Sequence, residues 1–236
     1  MSNVIEIFSS IQGEGKYVGC RQVFIRTADC NLKCAYCDTN FARADFGNVE
    51  TFAGSMIFKQ IKNPISVDEV ADIVKKFMAE VPTHSVSFTG GEPLLHWQFI
   101  RDVAELVDAR IFLETNGTLY KELAKIIDVV DIISMDIKLP SVAGNNFDKH
   151  REFLKLARAK DLYVKIVISA ETLIEEFEAA LDIIPEDILL ILQPVTPVKS
   201  VQSISARRIL ELQAFAARKI KNVRVIPQTH RLINIF

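Results

Sequence analysis

The feature that most limits the fold is a regular alternation that begins at Ser66. Ser66-Val67-Asp68-Glu69 reads as a capping box, in which the serine caps a helix start and the glutamate reaches back to it. Val70, Ile73, Val74 and Phe77 then recur at helical spacing. Short apolar runs predict strands over 84–88, 110–113, 132–137, 163–168, 188–192 and 223–226. Helical patterns lie between them over 97–107, 119–127, 147–159, 173–183 and 205–220. Each repeat takes roughly 25–30 residues, near the size of one βαβ crossover. Such alternation implies a parallel sheet with helices outside, and the short apolar strands fit burial on both faces. The six strands are too few for a closed eight-stranded barrel. The expected architecture is therefore a partial, splayed parallel βα barrel of about six βα units. Two further strands are predicted ahead of the alternation, over 4–8 and 22–27. Residues 41–64 carry no helical period and read as an insertion extending the loop before them, with 55–61 as a hairpin arm. No linker or shift in composition divides the chain, so 1–236 reads as a single domain.

Polar residues gather where these strands end. They are Thr89-Gly90-Gly91-Glu92-Pro93, Glu114-Thr115-Asn116-Gly117, Ser134 with Asp136 and Lys138, Ser169, Gln193-Pro194, and Gln228-Thr229-His230. Ligands of parallel α/β folds bind at that edge, so the clusters are expected to converge on one pocket. Chains also surface at strand ends, and any single cluster has that plainer explanation. Composition narrows the partners. The formal net charge is −2 and no lysine or arginine block stands out, which argues against nucleic acid. The start of the chain lacks the regions of a signal peptide, and the apolar run 126–137 is broken by Asp128, Asp131 and Asp136. The expectation is a cytoplasmic protein with no membrane partner.

Directly after the apolar run Val23-Phe24-Ile25 comes Cys30-Asn-Leu-Lys-Cys34-Ala-Tyr-Cys37. A loop this short can turn three thiolates toward one place. Three are one fewer than the usual cysteine set of an iron–sulfur cluster or a closed zinc site, so the fourth metal position is left to something other than cysteine. From spacing alone, a zinc site completed by a distant histidine, or three unrelated thiols, stay open. Cys20 is expected to be a buried free thiol.

The C-x3-C-x2-C spacing, with an aromatic residue before the third cysteine, resembles the cluster loop of the radical S-adenosylmethionine (SAM) enzymes. The resemblance implies that Cys30, Cys34 and Cys37 hold three irons of a [4Fe-4S] cluster and that SAM chelates the fourth, with Tyr36, Cys37 and Asp38 near it. Thr-Gly-Gly-Glu-Pro resembles that family's Gly-Gly-Glu motif, in which Gly90, Gly91 and Glu92 hold the amino group of SAM. Ser134, Met135 and Asp136, with Lys138 beyond, match the next SAM-contacting strand. Gln193-Pro194 resembles the edge near the adenine.

Three further stretches resemble the 7-carboxy-7-deazaguanine synthase family: residues 6–15 with the run Ser-Ile-Gln-Gly-Glu-Gly, Phe24-Ile25-Arg26 with Cys37-Asp38-Thr39, and Pro227-Gln228-Thr229-His230. That family converts 6-carboxy-5,6,7,8-tetrahydropterin to 7-carboxy-7-deazaguanine with loss of ammonia, using SAM, a [4Fe-4S] cluster and Mg2+. The resemblance implies substrate contacts from Ile11, Gln12, Gly13, Arg26, Thr89, Glu114, Gln228 and His230. It makes Glu114 catalytic beside the three cysteines and gives Mg2+ to Thr39, with Asp38 steadying its waters. It also implies a homodimer and an electron donor such as flavodoxin or ferredoxin. Residues 41–64 match no part of that pattern. Two other functions share features of the sequence: a glycyl-radical activating enzyme, and a zinc-stabilised binding module without catalysis.

Overall fold

The computed structural model describes residues 1–35, 37, 39–197 and 201–235. Among them lie strands β1 (Val4–Ile11), β2 (Arg21–Thr27), β3 (Phe46–Glu50), β4 (Phe58–Lys62), β5 (Ser85–Gly90), β6 (Ile111–Thr115), β7 (Ile132–Asp136), β8 (Asp161–Ile168), β9 (Leu189–Pro194) and β10 (Val223–Val225). The helices are α1 (Val67–Glu80), α2 (Trp97–Leu106), α3 (Tyr120–Ile126), α4 (Pro140–Ala143), α5 (Phe147–Ala157), α6 (Ile174–Leu181), α7 (Ala206–Ala216) and α8 (Thr229–Leu232). All ten strands form one sheet, in the order β10-β9-β8-β7-β6-β5-β2-β1-β3-β4. From β5 to β10 the neighbours are parallel and consecutive, as the alternation predicts. β2 joins β5 in parallel and β1 runs antiparallel to β2.

The expected capping box opens α1: Glu69 N donates to Ser66 Oγ (3.2 Å) and Ser66 N to Glu69 Oε2 (3.1 Å). The stretch read as an insertion contains β3 and β4, an antiparallel hairpin that extends the sheet beside β1. The carboxylate of Glu50 holds the hairpin turn by accepting from Gly54 N and Met56 N, and it reaches β1 at Ser9 N.

Register divides each strand between two environments. Ile133, Met135, Val164, Ile166, Leu190 and Leu192 point outward, into a large core shared with the helices. Phe112, Ile132, Tyr163 and Ile191 point inward and make a second, smaller core. Side chains alternate strictly along a strand, so positions two residues further on enter the same interior one layer higher. On β6, β7 and β8 those positions are Glu114, then Ser134 and Asp136, then Lys165. Tyr17, in the 3-10 turn Gly15–Tyr17, packs edge-on against Phe112 at 6.0 Å and donates its hydroxyl to Asp161. The inner core thus sits at the N-terminal end of the barrel, and the C-terminal end is open.

Candidate active site

The open end is a cavity of about 500 Å³, within the range of small-molecule sites. Its wall includes Cys30, Cys34, Cys37 and Thr39 from the cysteine loop, and Gly90 and Gly91 from the end of β5. Thr89, Glu114, Asp136, Lys138 and Gln193 come from the other strand ends, and Ile11, Gln12, Gly13 and Arg26 from β1, β2 and the loop between them. Gln228 and His230 complete the lining. Five of the six strand-end clusters therefore converge here, while Ser169 stays in its own turn, its N–H donating to Thr172 Oγ1 (2.8 Å) and its Oγ accepting from Glu171 N (3.2 Å).

The cysteine loop is fastened at its base. Asp29, just before Cys30, takes the left-handed conformation (φ 66°) and pairs with Arg43 at 2.9 Å. His96 ties the same turn down, its Nε2–H donating to Ala28 O (2.9 Å) and its Nδ1 accepting from Ser2 Oγ (3.0 Å). Glycine is required at 91 because a Cβ there would overlap the carbonyl of Asp29. Behind the loop, Asn31 donates to Thr118 Oγ1 (2.8 Å) and accepts from Asn116 Nδ2 (2.9 Å). Burial pushes the Cys30 thiol pKa up, and that of Cys34 up to about 11. Cys20 is half-buried rather than buried.

Two hydrogen-bonded sets occupy the rest of the wall. Glu114 accepts from Gln12 Nε2 at Oε1 (2.8 Å) and from Thr89 Oγ1 at Oε2 (2.7 Å). Lys165 donates to Glu14, which also accepts from Gln228 Nε2 (2.7 Å). Burial raises the Glu14 pKa, but the charge and hydrogen bond of Lys165 outweigh it and bring it to about 2. Arg26 pairs with Glu6 on the neighbouring strand at 2.6 Å, so its charge already has a partner. The C-terminal segment crosses to the loop after β1: Thr229 N donates to Gly13 O (2.9 Å), and the His230 ring fills the place a Cβ on Gly13 would take.

Four residues expected at the cofactor do not reach this wall. Glu92 is fully buried, and its carboxylate accepts from Leu94 N, Thr115 Oγ1 and Asn116 N, fastening the turn after β5 to the end of β6. Burial holds its pKa up at about 7 despite those three donors. Ser134 faces inward one layer below Asp136 and hydrogen-bonds Tyr163. Met135 and Pro194 have the opposite parity on their strands, and Met135 packs in the outer core. Tyr36 and Asp38 lie outside the described residues. The sequence reading gave no role to Glu14 or Lys165, both on the wall. A lone lysine in the otherwise apolar run Leu162–Ile168 was the available signal, because a charge on a strand buried on both faces needs a partner.

The residues present fit an iron–sulfur cluster with SAM. Three thiols face one cavity. A cluster takes each thiolate at a different iron. Asp136 Oδ1 and Gln193 Oε1 are buried on the same wall with no hydrogen-bond partner among the described residues, and hydroxyl or amino groups of a ligand would satisfy them.

Comparison with known proteins agrees with the geometry. A sequence profile of the Radical SAM superfamily matches residues 24–184. The chain is 43% identical to a 7-carboxy-7-deazaguanine synthase of Geobacter sulfurreducens, over 97% of this chain and 95% of the other. It is 34% identical to one of Methanocaldococcus jannaschii, over 98% of each. The crystal structure of QueE from Escherichia coli shares the fold with a TM-score of 0.62 at 20% identity, covering 97% of this chain and 94% of that one. With this site and these relatives, the chain belongs to the radical SAM superfamily and, within it, to the 7-carboxy-7-deazaguanine synthase family.

Proposed function

We propose that the chain converts 6-carboxy-5,6,7,8-tetrahydropterin to 7-carboxy-7-deazaguanine with loss of ammonia. The observation that carries this reading is one cavity holding both a three-cysteine loop and a separate polar set suited to a carboxylated pterin. Cys30, Cys34 and Cys37 would hold the cluster, and the Gly90-Gly91 backbone with Asp136 and Gln193 would hold SAM. Bound there, cluster and SAM would supply one-electron radical chemistry, which no side chain of the chain can perform.

The protein's part is to bind, orient and shield. Arg26 turns a guanidinium toward the substrate carboxylate, a fork suited to bidentate contact. Gln12 and Thr89 fix both oxygens of Glu114, which leaves that carboxylate aimed to accept a pterin N–H and to hold a proton while the ring rearranges. Gln228 and His230 help line the cavity and keep water away. Thr39 offers a hydroxyl to Mg2+, which prefers oxygen and keeps several waters.

We read the whole chain as one catalytic unit, with the β3–β4 hairpin as its insertion. An electron donor such as flavodoxin or ferredoxin serves it, as a homodimer in the reducing cytoplasm. No helix among the described residues is long and apolar enough to cross a membrane. The test is anaerobic turnover of reconstituted protein with the carboxytetrahydropterin, SAM, Mg2+ and reductant, read by mass spectrometry. The expected result is the deazaguanine and ammonia. SAM cleavage without that product would move the reading to an activating enzyme, and a colourless zinc protein would move it to a binding module.

A further inference from the structure

Lys165 sits on the inward face of β8 between Tyr163 below and Val167 above. Its side chain is 12% exposed, and it bridges carboxylates on two different elements. It donates to Glu14 Oε2 in the loop after β1, and its Nζ lies 3.4 Å from Asp136 Oδ2 at the end of β7. Each carboxylate has a further partner. Gln228 Nε2 donates to Glu14 Oε1 (2.7 Å), and Lys138 Nζ donates to Asp136 Oδ2 (2.8 Å). A continuous chain, Gln228–Glu14–Lys165–Asp136–Lys138, therefore crosses the cavity from the C-terminal segment to the strand beyond which Lys138 lies. Burial alone would lower the pKa of Lys165, but Glu14, Asp136 and Glu114 outweigh it and hold the ammonium charged. Asp136 Oδ1 is buried and has no partner among the described residues.

We propose that Lys165 is a positioning residue that couples the substrate half of this cavity to the cofactor half, an inference that rests on the function proposed above. One ammonium group cannot adjust to two carboxylates independently. A ligand that takes Asp136 Oδ1 fixes Asp136, then Lys165, and through Lys165 the orientation of Glu14. A substrate that engages Glu14 fixes the same chain from the other side. The ordering cost falls on whichever ligand binds first, so the second binds more tightly. The coupling is reciprocal, as linkage requires. A buried lysine with only a structural role would change stability and leave the two affinities independent.

The test is anaerobic calorimetry of the reconstituted protein, with the carboxytetrahydropterin titrated in the presence and absence of SAM. Wild type is expected to bind the pterin at least about 5-fold more tightly with SAM, the lower end of typical couplings. Lys165→Met is expected to bring that ratio to about one with iron content unchanged. Methionine leaves Glu14 and Asp136 facing each other without their shared cation, so two further variants are measured. Lys165→Arg keeps a charge able to span both carboxylates and is expected to keep part of the coupling. The charge-balanced pair Lys165→Met with Glu14→Gln is expected to fold, bind SAM and show no coupling. A wild-type ratio in Lys165→Met overturns the inference. So does a balanced pair that fails to fold or loses SAM binding, because Lys165 would then be structural or part of the cofactor site. A wild type that binds and turns over the pterin without coupling sinks this inference alone, and a wild type that does not bind the pterin sinks the functional reading with it.

Discussion

The two ends of the barrel interior are built from the same strands and differ completely in chemistry. At the N-terminal end Phe112, Ile132, Tyr163 and Ile191 pack on one another under Tyr17. At the C-terminal end Arg26, Thr89, Glu114, Asp136 and Lys165 face a cavity. On β6 and β8 the change takes one inward step, from Phe112 to Glu114 and from Tyr163 to Lys165. Two residues along a strand are only about 6.6 Å. The apolar layer holds the strands together by burial, at roughly 1.5–3 kcal/mol for each large side chain. The polar layer spends part of that stability keeping charges out of water, each with a partner. Stability and activity should therefore respond to different substitutions on the same strand.

The largest effect belongs to the cysteine rim. Cys30→Ala, Cys34→Ala and Cys37→Ala are each expected to abolish the cluster's visible absorbance and SAM cleavage, whereas Cys20→Ala keeps both. Iron loss in Cys20→Ala would show that the ligand set is misassigned.

The next test sets the two layers against each other on β6. Phe112→Ala should cost about 3–5 kcal/mol in denaturant unfolding, through the cavity it leaves. Glu114→Gln should cost about 1 kcal/mol in the same assay. It should lower kcat of the folded enzyme by about 10²-fold or more, as expected for loss of a proton-holding group. Wild-type kcat in Glu114→Gln would remove it from the chemistry.

His150, on α5, tests the polar shell outside the barrel. It is fully buried, its Nε2–H donates to Asn116 O (3.1 Å), and its Nδ1 has no partner among the described residues. Burial lowers its pKa to about 4. The unfolded chain takes up that proton near pH 6.5. Wild-type stability is thus lost as pH falls from about 6.5 to about 4, by up to about 3 kcal/mol from this group. His150→Gln removes the proton uptake, so its stability deficit against wild type should narrow over that window. A constant deficit from pH 7 to pH 4 would contradict the assignment.

Arg26→Ala should weaken substrate binding by about 1.5–3 kcal/mol, or roughly 10- to 150-fold, and should leave SAM binding intact. The loss includes the unpaired Glu6 left behind, and Arg26→Lys should recover only part because it cannot make two parallel bonds. Titration of each variant with SAM bound decides the point, and an unchanged affinity would separate Arg26 from the substrate.

The smallest effect is expected at Thr39. Thr39→Ala should need more Mg2+ for half-maximal turnover with the cluster intact, and Thr39→Ser should need less than Thr39→Ala. Matching Mg2+ curves for wild type and Thr39→Ala would take Thr39 out of the metal site.

Local sequence determined a good deal. Cysteine spacing marked the cysteine loop, resemblance to a family motif marked the Gly90-Gly91 turn, and hydrophobic periodicity marked the run of parallel βα units, because each depends on residues close in the chain. The capping box at Ser66 and Glu69 was legible for the same reason. Strand ends rich in polar residues marked the edge where the cavity opens, since side-chain direction in a parallel sheet follows from chain direction.

What only the tertiary structure decided was parity and partnership. Ser134 and Asp136 look equivalent in the sequence, yet one hydrogen-bonds Tyr163 beneath the cavity and the other lines it. Glu92 follows two glycines of the wall and still turns away, because the donors of Leu94, Thr115 and Asn116 hold it behind the turn. Lys165 and Glu14 stand 151 residues apart and meet only when β8 lies across from the loop after β1. Periodicity fixes which residues share a face of one strand. Which layer of the barrel a position occupies, and which distant charge answers it, depends on how the strands are staggered against one another.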